Sequence, residues 1–427
     1  AETSYRRAIQ IKPDHANAHL NLGNVLVDLG RPGEAEARYR QALQIKPDYA
    51  DAHHNLGTTL QNMDRLDEAE ASYRRALQIK PEYHEALSNL GGFLQGLHRL
   101  DEAEASYRRA LQISPDYAEA HNNLGSALIY LGRLDEAEAS YRRALQIKPD
   151  YAEAHLNLGA TLMELGWLDK ADASYRQAIQ IKPDYAEAHN NLGAVHQAMN
   201  RFIEAEASYR QAIQINKDFA EAHNNLGNAL KEMGRQDEAE ASYRRAFQIK
   251  PDYADAHSNL IFAMDLMFDK DTAALQEERK RWDAAHAAHL RQRQTHSNIP
   301  DPSRRLRVGY VSADFREHSA VKVFGGMLTN YDRAQFDVFA YANSRRRDDR
   351  FTDLFKRSVT AWRNISRMTD DAVEKMIIED RIDILVDLSG HSEGNRLLVF
   401  ARKPAPIQIT AWGYATSTGM RAMDVFF

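Results

Sequence analysis

The sequence predicts an α-solenoid joined to an α/β lobe. Three observations carry that reading: a proline, a glycine and a tyrosine each recur every thirty-four residues, and the apolar period changes after residue 303. Proline stands at Pro13, Pro47, Pro81, Pro115, Pro149, Pro183 and Pro251, with one miss at Lys217. Glycine recurs from Gly23 to Gly227 and tyrosine from Tyr5 to Tyr243 on the same spacing. A unit copied so many times in register packs on its neighbours and escapes the size limit of a single core.

That period and those residue types fit the tetratricopeptide repeat, a helix–turn–helix unit. In the copy Asp116–Pro149, Ala120, Leu124, Ala127, Leu128 and Leu131 form the apolar stripe of a first helix. Gly125 removes a side chain where the partner helix must approach, and Gly132 ends the helix. Ala137, Tyr141, Ala144 and Leu145 make the facing stripe of a second helix, which Pro149 stops. Asp116 with Glu119, and Asp135 with Glu138, are expected to form capping boxes at the two helix starts.

One row has no such packing duty. Asn21, Asn55, Asn89, Asn123, Asn157, Asn191, Asn225 and Asn259 each precede the core residue of the first helix, while the residue before them varies. Asparagine costs about half a kcal/mol against alanine inside a helix. Its retention suggests a ladder of amides along the concave wall, able to grip the backbone of an extended peptide. Inheritance by duplication, or a bond to the neighbouring helix, is the alternative. The histidines at His19, His53, His121, His155, His189, His223 and His257 read as packing residues rather than metal ligands.

Bulk properties exclude several classes. No apolar run is long enough to span a membrane, and no leader pattern opens the chain. Cysteine is absent, which removes disulfides and thiolate metal sites and suits a cytoplasmic protein. Residues 304–427 carry 20 Lys and Arg against 16 Asp and Glu, leaving 35 against 45 for residues 1–303. Acidic repeats without a basic, aromatic-interleaved stripe argue against nucleic acid as a partner.

The repeats fill residues 1–268. Residues 269–303 are a helical linker, with Trp282 as the anchor of a charged helix near 274–291. In residues 304–427 short apolar strands alternate with helices: strands at 306–312, 336–341, 382–388, 407–412 and 423–427, helices near 320–329, 349–356 and 370–379. That alternation implies a parallel, doubly wound sheet with ligands at the carboxyl ends of its strands. Three stretches fall there: Ser312-Ala-Asp-Phe-Arg-Glu-His-Ser319, Asp387-Leu-Ser-Gly-His-Ser-Glu-Gly-Asn-Arg396 and Trp412-Gly-Tyr-Ala-Thr-Ser-Thr-Gly419. They gather Asp314, His318, Asp387, His391, Arg396, Gly413, Tyr414, Thr416 and Ser417 as cleft candidates. Neither a GxGxxG nor a Walker loop is present, and no Asp-x-Asp pair suggests a chelated diphosphate.

Arg307-Val-Gly-Tyr-Val-Ser-Ala-Asp-Phe-Arg-Glu-His-Ser319, Ile384-Leu-Val-Asp-Leu-Ser-Gly-His391 and Lys403-Pro-Ala-Pro-Ile-Gln-Ile-Thr-Ala-Trp-Gly-Tyr414, following such an array, resemble the O-linked N-acetylglucosamine transferases and SPINDLY proteins. The resemblance implies an inverting, metal-independent glycosyltransferase of the GT-B type, with two Rossmann-like lobes. Its donor would be UDP-GlcNAc and its acceptors Ser or Thr of polypeptides held in the repeat groove. His318 matches the family's active-site histidine, as base or acceptor-positioning group. The stretch Ile378-Glu-Asp-Arg381 departs from relatives that carry a histidine near an Asp-Gly pair there. Because the first copy lacks its first helix and the chain stops at Phe427, it reads as a fragment within the first, incomplete lobe, expected to be inactive alone. A SPINDLY-like protein O-fucosyltransferase and a non-catalytic peptide-binding adaptor are the competing readings.

Overall fold

The computed structural model describes residues 1–267, 271–291, 296–301, 303–344, 348–411 and 418–426. Two compact units compose it, Ala1–Met199 and Asn200–Phe427.

Within the first unit, paired helices repeat as the period requires. The copy used above folds as helices Ala118–Tyr130 and Leu134–Ile147. Tyr141 is buried, and a Cβ built on Gly125 would lie 2.7 Å from its ring. Glycine is therefore demanded at this row by a close approach of two helices. Gly132 takes a left-handed φ of 75° and closes the first helix.

The expected capping boxes do not form. The residues preceding the two helices are Tyr117 and Arg133, and neither helix start receives a side-chain cap. The acids serve the stack instead: Arg143 donates to Asp116 at 2.8 Å and Lys148 to Glu119 at 3.2 Å. Arg133 donates both to Glu136 of its own helix and to Glu104 of the preceding copy, each at 2.7 Å. Asp116 sits one residue too far out to reach the first free amides, so the ionic partners of the next helix claim it. The histidine row also binds between elements. His53, His121 and His155 each donate Nε2–H to a proline carbonyl six residues earlier, at 2.9–3.0 Å.

The second unit opens with further repeat helices and ends in a sheet. Its last repeat helix, Ala254–Asp265, carries buried Ile261 where earlier copies carry glycine. Ile261 packs in a core that includes Trp282 of the next helix, Thr272–Trp282. Trp282 is fully buried and donates its indole N–H to the Ala254 carbonyl at 3.2 Å. Beyond it the chain loosens into a π turn over Asp283–Ala287.

Among the described residues six parallel strands follow: β1 (Leu306–Ser312), β2 (Phe336–Ala342), β3 (Ala361–Asn364), β4 (Ile384–Asp387), β5 (Ile407–Thr410) and β6 (Val425–Phe426). Their order is β3-β2-β1-β4-β5-β6. Val308 pairs with Val338 and Ile384, which centres β1 in the sheet. Alternate residues feed two cores: Val311, Phe339 and Leu385 pack with Trp282, and Val308, Val338 and Val386 pack with Phe315, Phe324 and Phe355. A sheet covered on both faces explains strands that read as continuous apolar runs. The strand order reverses between β1 and β4, so the loops after these two strands flank the switch point where α/β sheets bind ligands. Among the described residues no helix is long and apolar enough to cross a membrane.

Candidate functional site

His318 lies on the loop after β1. Its side chain is 39% exposed and lines an opening of about 740 Å³ with Lys322, Gly325, Gly326, Arg350 and Phe351. The Ala320 N–H donates to its Nδ1 at 3.3 Å. A neutral ring in that bond carries its proton on Nε2. On the other side of Nδ1 stands Asp314 Oδ2, at 3.7 Å. Asp314 is itself held, its N–H bonded to Ser312 Oγ at 3.0 Å and its Oδ1 to Arg316 at 3.2 Å. This loop can therefore hold a histidine that offers an Nε2–H donor or, in the tautomer that gives Nδ1–H to Asp314, a basic Nε2.

The residues after β4 behave differently. Asp387 is buried and accepts from the amides of Ser389 and Gly390 and from Thr410 Oγ1 at 2.8 Å. Burial raises its carboxyl pKa above the ordinary range, against the pull of those donors. Its bonds tie the end of β4 to β5 and shape the turn. His391 is buried as well. Its Nε2–H donates to the Thr418 carbonyl at 3.0 Å, which leaves Nδ1 to accept from Ser258 Oγ at 3.2 Å. The Trp282 ring meets it edge-on, centroids 5.1 Å apart. Desolvation, aided by the charge of Arg279, pushes its pKa down to about 3, so the ring is neutral. Both side chains are enclosed by protein, and His391 fastens the β4 loop to the last repeat helix.

Arg396 ends the same loop. It donates to Asp370 Oδ1 at 2.7 Å and to the carbonyls of Ile365 and Met368 at 2.7 and 2.9 Å. Arg396 also lines a cavity of about 800 Å³, whose opposite side is repeat helix: Asn225, Asn228, Asn259 and Asp255. Thus two ladder asparagines and the β4 loop share one opening. None of the residues around His318 belongs to it. Gly413, Tyr414, Thr416 and Ser417 lie outside the described residues.

All eight ladder asparagines are at least partly exposed. Several also bind the preceding copy. Asn55 donates to Asn24, Asn157 to Asn122 and Asn259 to Asn224, at 2.8–3.0 Å, and Asn89 donates to His54 Nε2 at 2.7 Å. Each such bond uses one amide N–H and orients the rest of the group.

Sequence reasoning overlooked three contributors to the large cavity. Asn343, just beyond β2, donates to the Gly394 carbonyl at 2.9 Å and props the β4 loop. Asp370 anchors Arg396. Asp255 faces both, and burial followed by the charge of Asp370 raises its pKa. The position of Asn343 at a strand's carboxyl end was a usable signal; the other two become visible only through packing.

Comparison with known proteins agrees in kind. Residues 255–427 match glycosyl transferase family 41, and tetratricopeptide repeat families match stretches from residue 1 to residue 253. The probable UDP-N-acetylglucosamine–peptide N-acetylglucosaminyltransferase SPINDLY of Arabidopsis thaliana is 35% identical over 130 residues, 30% of this chain and 14% of that protein. The SEC protein of the same plant, of the same described activity, is 35% identical over 121 residues, 28% of this chain and 12% of that protein. The chain thus spans about an eighth of the length of these curated relatives. A mutant O-GlcNAc transferase of Thermobaculum terrenum superposes with a TM-score of 0.61 at 33% identity, covering 64% of this chain and 53% of that one.

Proposed function

We propose, because residues 255–427 match glycosyl transferase family 41, that the intact protein is a cytoplasmic protein O-glycosyltransferase. It moves N-acetylglucosamine from UDP-GlcNAc to serine or threonine of polypeptides gripped by the asparagine row, with inversion and without a metal. The observation that carries this reading is the shared cavity, where Asn225 and Asn259 of the repeats face Arg396 and the β4 loop. A polypeptide held by repeat amides there lies beside the β4 loop; His318 lines a separate opening after β1, so the acceptor hydroxyl must extend across the β1–β4 switch point to meet it.

In the reaction the acceptor oxygen bonds to the anomeric carbon as the bond to the diphosphate breaks, its electron pair leaving on UDP. The hydroxyl proton must go elsewhere. His318 supports either of two roles: Nε2–H orients the acceptor, or the Nδ1–H tautomer donates to Asp314 and Nε2 takes the proton. Asp314→Asn separates them. A base role loses kcat along with the aspartate, whereas an orienting role survives it.

The test is transfer of radiolabelled sugar by the intact protein to a protein acceptor mixture, with UDP-GlcNAc and GDP-fucose compared as donors and His318→Ala as control. Label from UDP-GlcNAc that His318→Ala abolishes supports the proposal. Label from GDP-fucose alone replaces the donor, and label from neither leaves a binding protein.

A further inference from the structure

We infer that the repeat copy formed by helices His84–Gly96 and Leu100–Ile113 contains a notch that binds an aromatic side chain of the polypeptide lying along the asparagine row. The inference deepens the proposed function and rests on its groove.

The notch is a cavity of about 480 Å³ within the first compact unit. Its wall is opened by Gly92 and Gly96, one helical turn apart on the same face. Other copies fill both places: Asn24, Thr58, Ser126 and Ala160 match Gly92, while Asp28, Asn62, Tyr130 and Glu164 match Gly96. Packing does not call for either glycine. A Cβ on Gly92 would meet only Tyr107 Oη at 3.5 Å, and one on Gly96 would meet nothing within 4 Å. Gly91, by contrast, is required, since its Cβ would fall 2.7 Å from the Tyr107 ring. A helix that omits two side chains without a steric reason sacrifices helix propensity to keep space open.

What surrounds that space selects the occupant. Tyr130, 64% exposed, is part of its lining. Asn123 of the amide row and the Ser126 hydroxyl lie on the same lining. His98 forms the rim, in a left-handed conformation of φ 57° where neighbouring copies place Asp64 and Gly132. One helical turn, about 5.4 Å, matches the width of a six-membered ring. A ring inserted there stacks against Tyr130, and a phenol or indole finds a hydrogen-bond partner in the Asn123 amide, the Ser126 hydroxyl being engaged with Tyr141 and the Asn122 carbonyl. Aliphatic side chains fill the volume but forgo both contacts.

The experiment measures binding of two fluorescein-labelled extended peptides to the intact chain by fluorescence polarisation. They are built of Ala, Ser and Thr and differ only in a central Phe or Ala. Wild type should hold the Phe peptide about tenfold more tightly. Gly92→Ser with Gly96→Glu, which copies the neighbouring repeats into open space, should erase that preference, leave Ala-peptide affinity unchanged and raise the thermal midpoint. Tyr130→Ala should erase it without filling the notch. Equal affinity of wild type for the two peptides, or a preference that survives either variant, overturns the notch while leaving the groove standing. Failure of both peptides to bind overturns groove and notch together.

Discussion

Lowering the pH should loosen the second unit through His391. Its ring is enclosed, bonded to Thr418 and Ser258, and its pKa falls from 6.5 to about 3 on folding. The sign follows from linkage: the unfolded chain takes up a proton as pH drops through 6.5, and the folded chain refuses it until about 3. Stability from this group is complete above 6.5 and is lost as pH falls below it. At about pH 5 the loss is roughly 2 kcal/mol, being about 1.4 kcal/mol for each unit below 6.5. His286, pushed down to about 4 chiefly by burial, acts with the same sign. The assay is urea unfolding of wild type and His391→Gln followed by tryptophan fluorescence, to which Trp282, its ring 5.1 Å from His391, contributes among four tryptophans. Glutamine keeps a donor for the Thr418 carbonyl and does not titrate. The variant should be the less stable near pH 8, and the gap should shrink by about 2 kcal/mol near pH 5. A gap that stays constant over this range would mean that the folded state protonates His391 freely, and the reasoning from its burial would be wrong.

Other perturbations follow from single contacts. Gly125→Ala forces a methyl against Tyr141 and should cost about 1–3 kcal/mol of overpacking, offset by about 1 kcal/mol of helix propensity; Gly92→Ala, which meets no such ring, should be stabilising, and thermal melts compare the two. Asp383 accepts from Arg304, Asn298 and the Arg307 amide, so Asp383→Ala should destabilise the sheet by about 3 kcal/mol, read by urea midpoint. Alanine at Asn123, Asn157 and Asn191 together should weaken capture of an extended peptide while helical circular dichroism is kept; undiminished capture would reject the amide row. Transferase activity of the intact protein should persist in EDTA, and its abolition with rescue by a divalent cation would reject the metal-free reaction.

What the sequence made legible was whatever repeats or stays local. The thirty-four-residue period carries helix pairing because each copy meets the same partner, so Gly125 and Tyr141 could be matched without coordinates. The strands were readable as apolar runs, but the expected 382–388, 407–412 and 423–427 overrun Ile384–Asp387, Ile407–Thr410 and Val425–Phe426, because an apolar run continues past the last paired residue. β3 was missed because Ala361-Trp-Arg-Asn364 is only partly buried and makes no apolar run, and the helix Leu397–Ala401 because five residues cannot display a helical period. The capping boxes failed for a related reason: a local motif competes with neighbours, and Arg143 outbids the helix amides for Asp116. At the site the same boundary holds. Asp314 and His318 lie four residues apart, and their meeting is local. Asp387 finds Thr410 twenty-three residues on, and His391 finds Ser258 one hundred and thirty-three residues back. A histidine in a strand-end loop looks the same in sequence whether it faces an opening or is fastened to a distant helix. The fact that separates them is which remote element takes its second nitrogen, and for His391 that element is a repeat helix. The array and the sheet of the second unit are therefore joined through a neutral imidazole, which makes protonation of that ring the physical handle on their union.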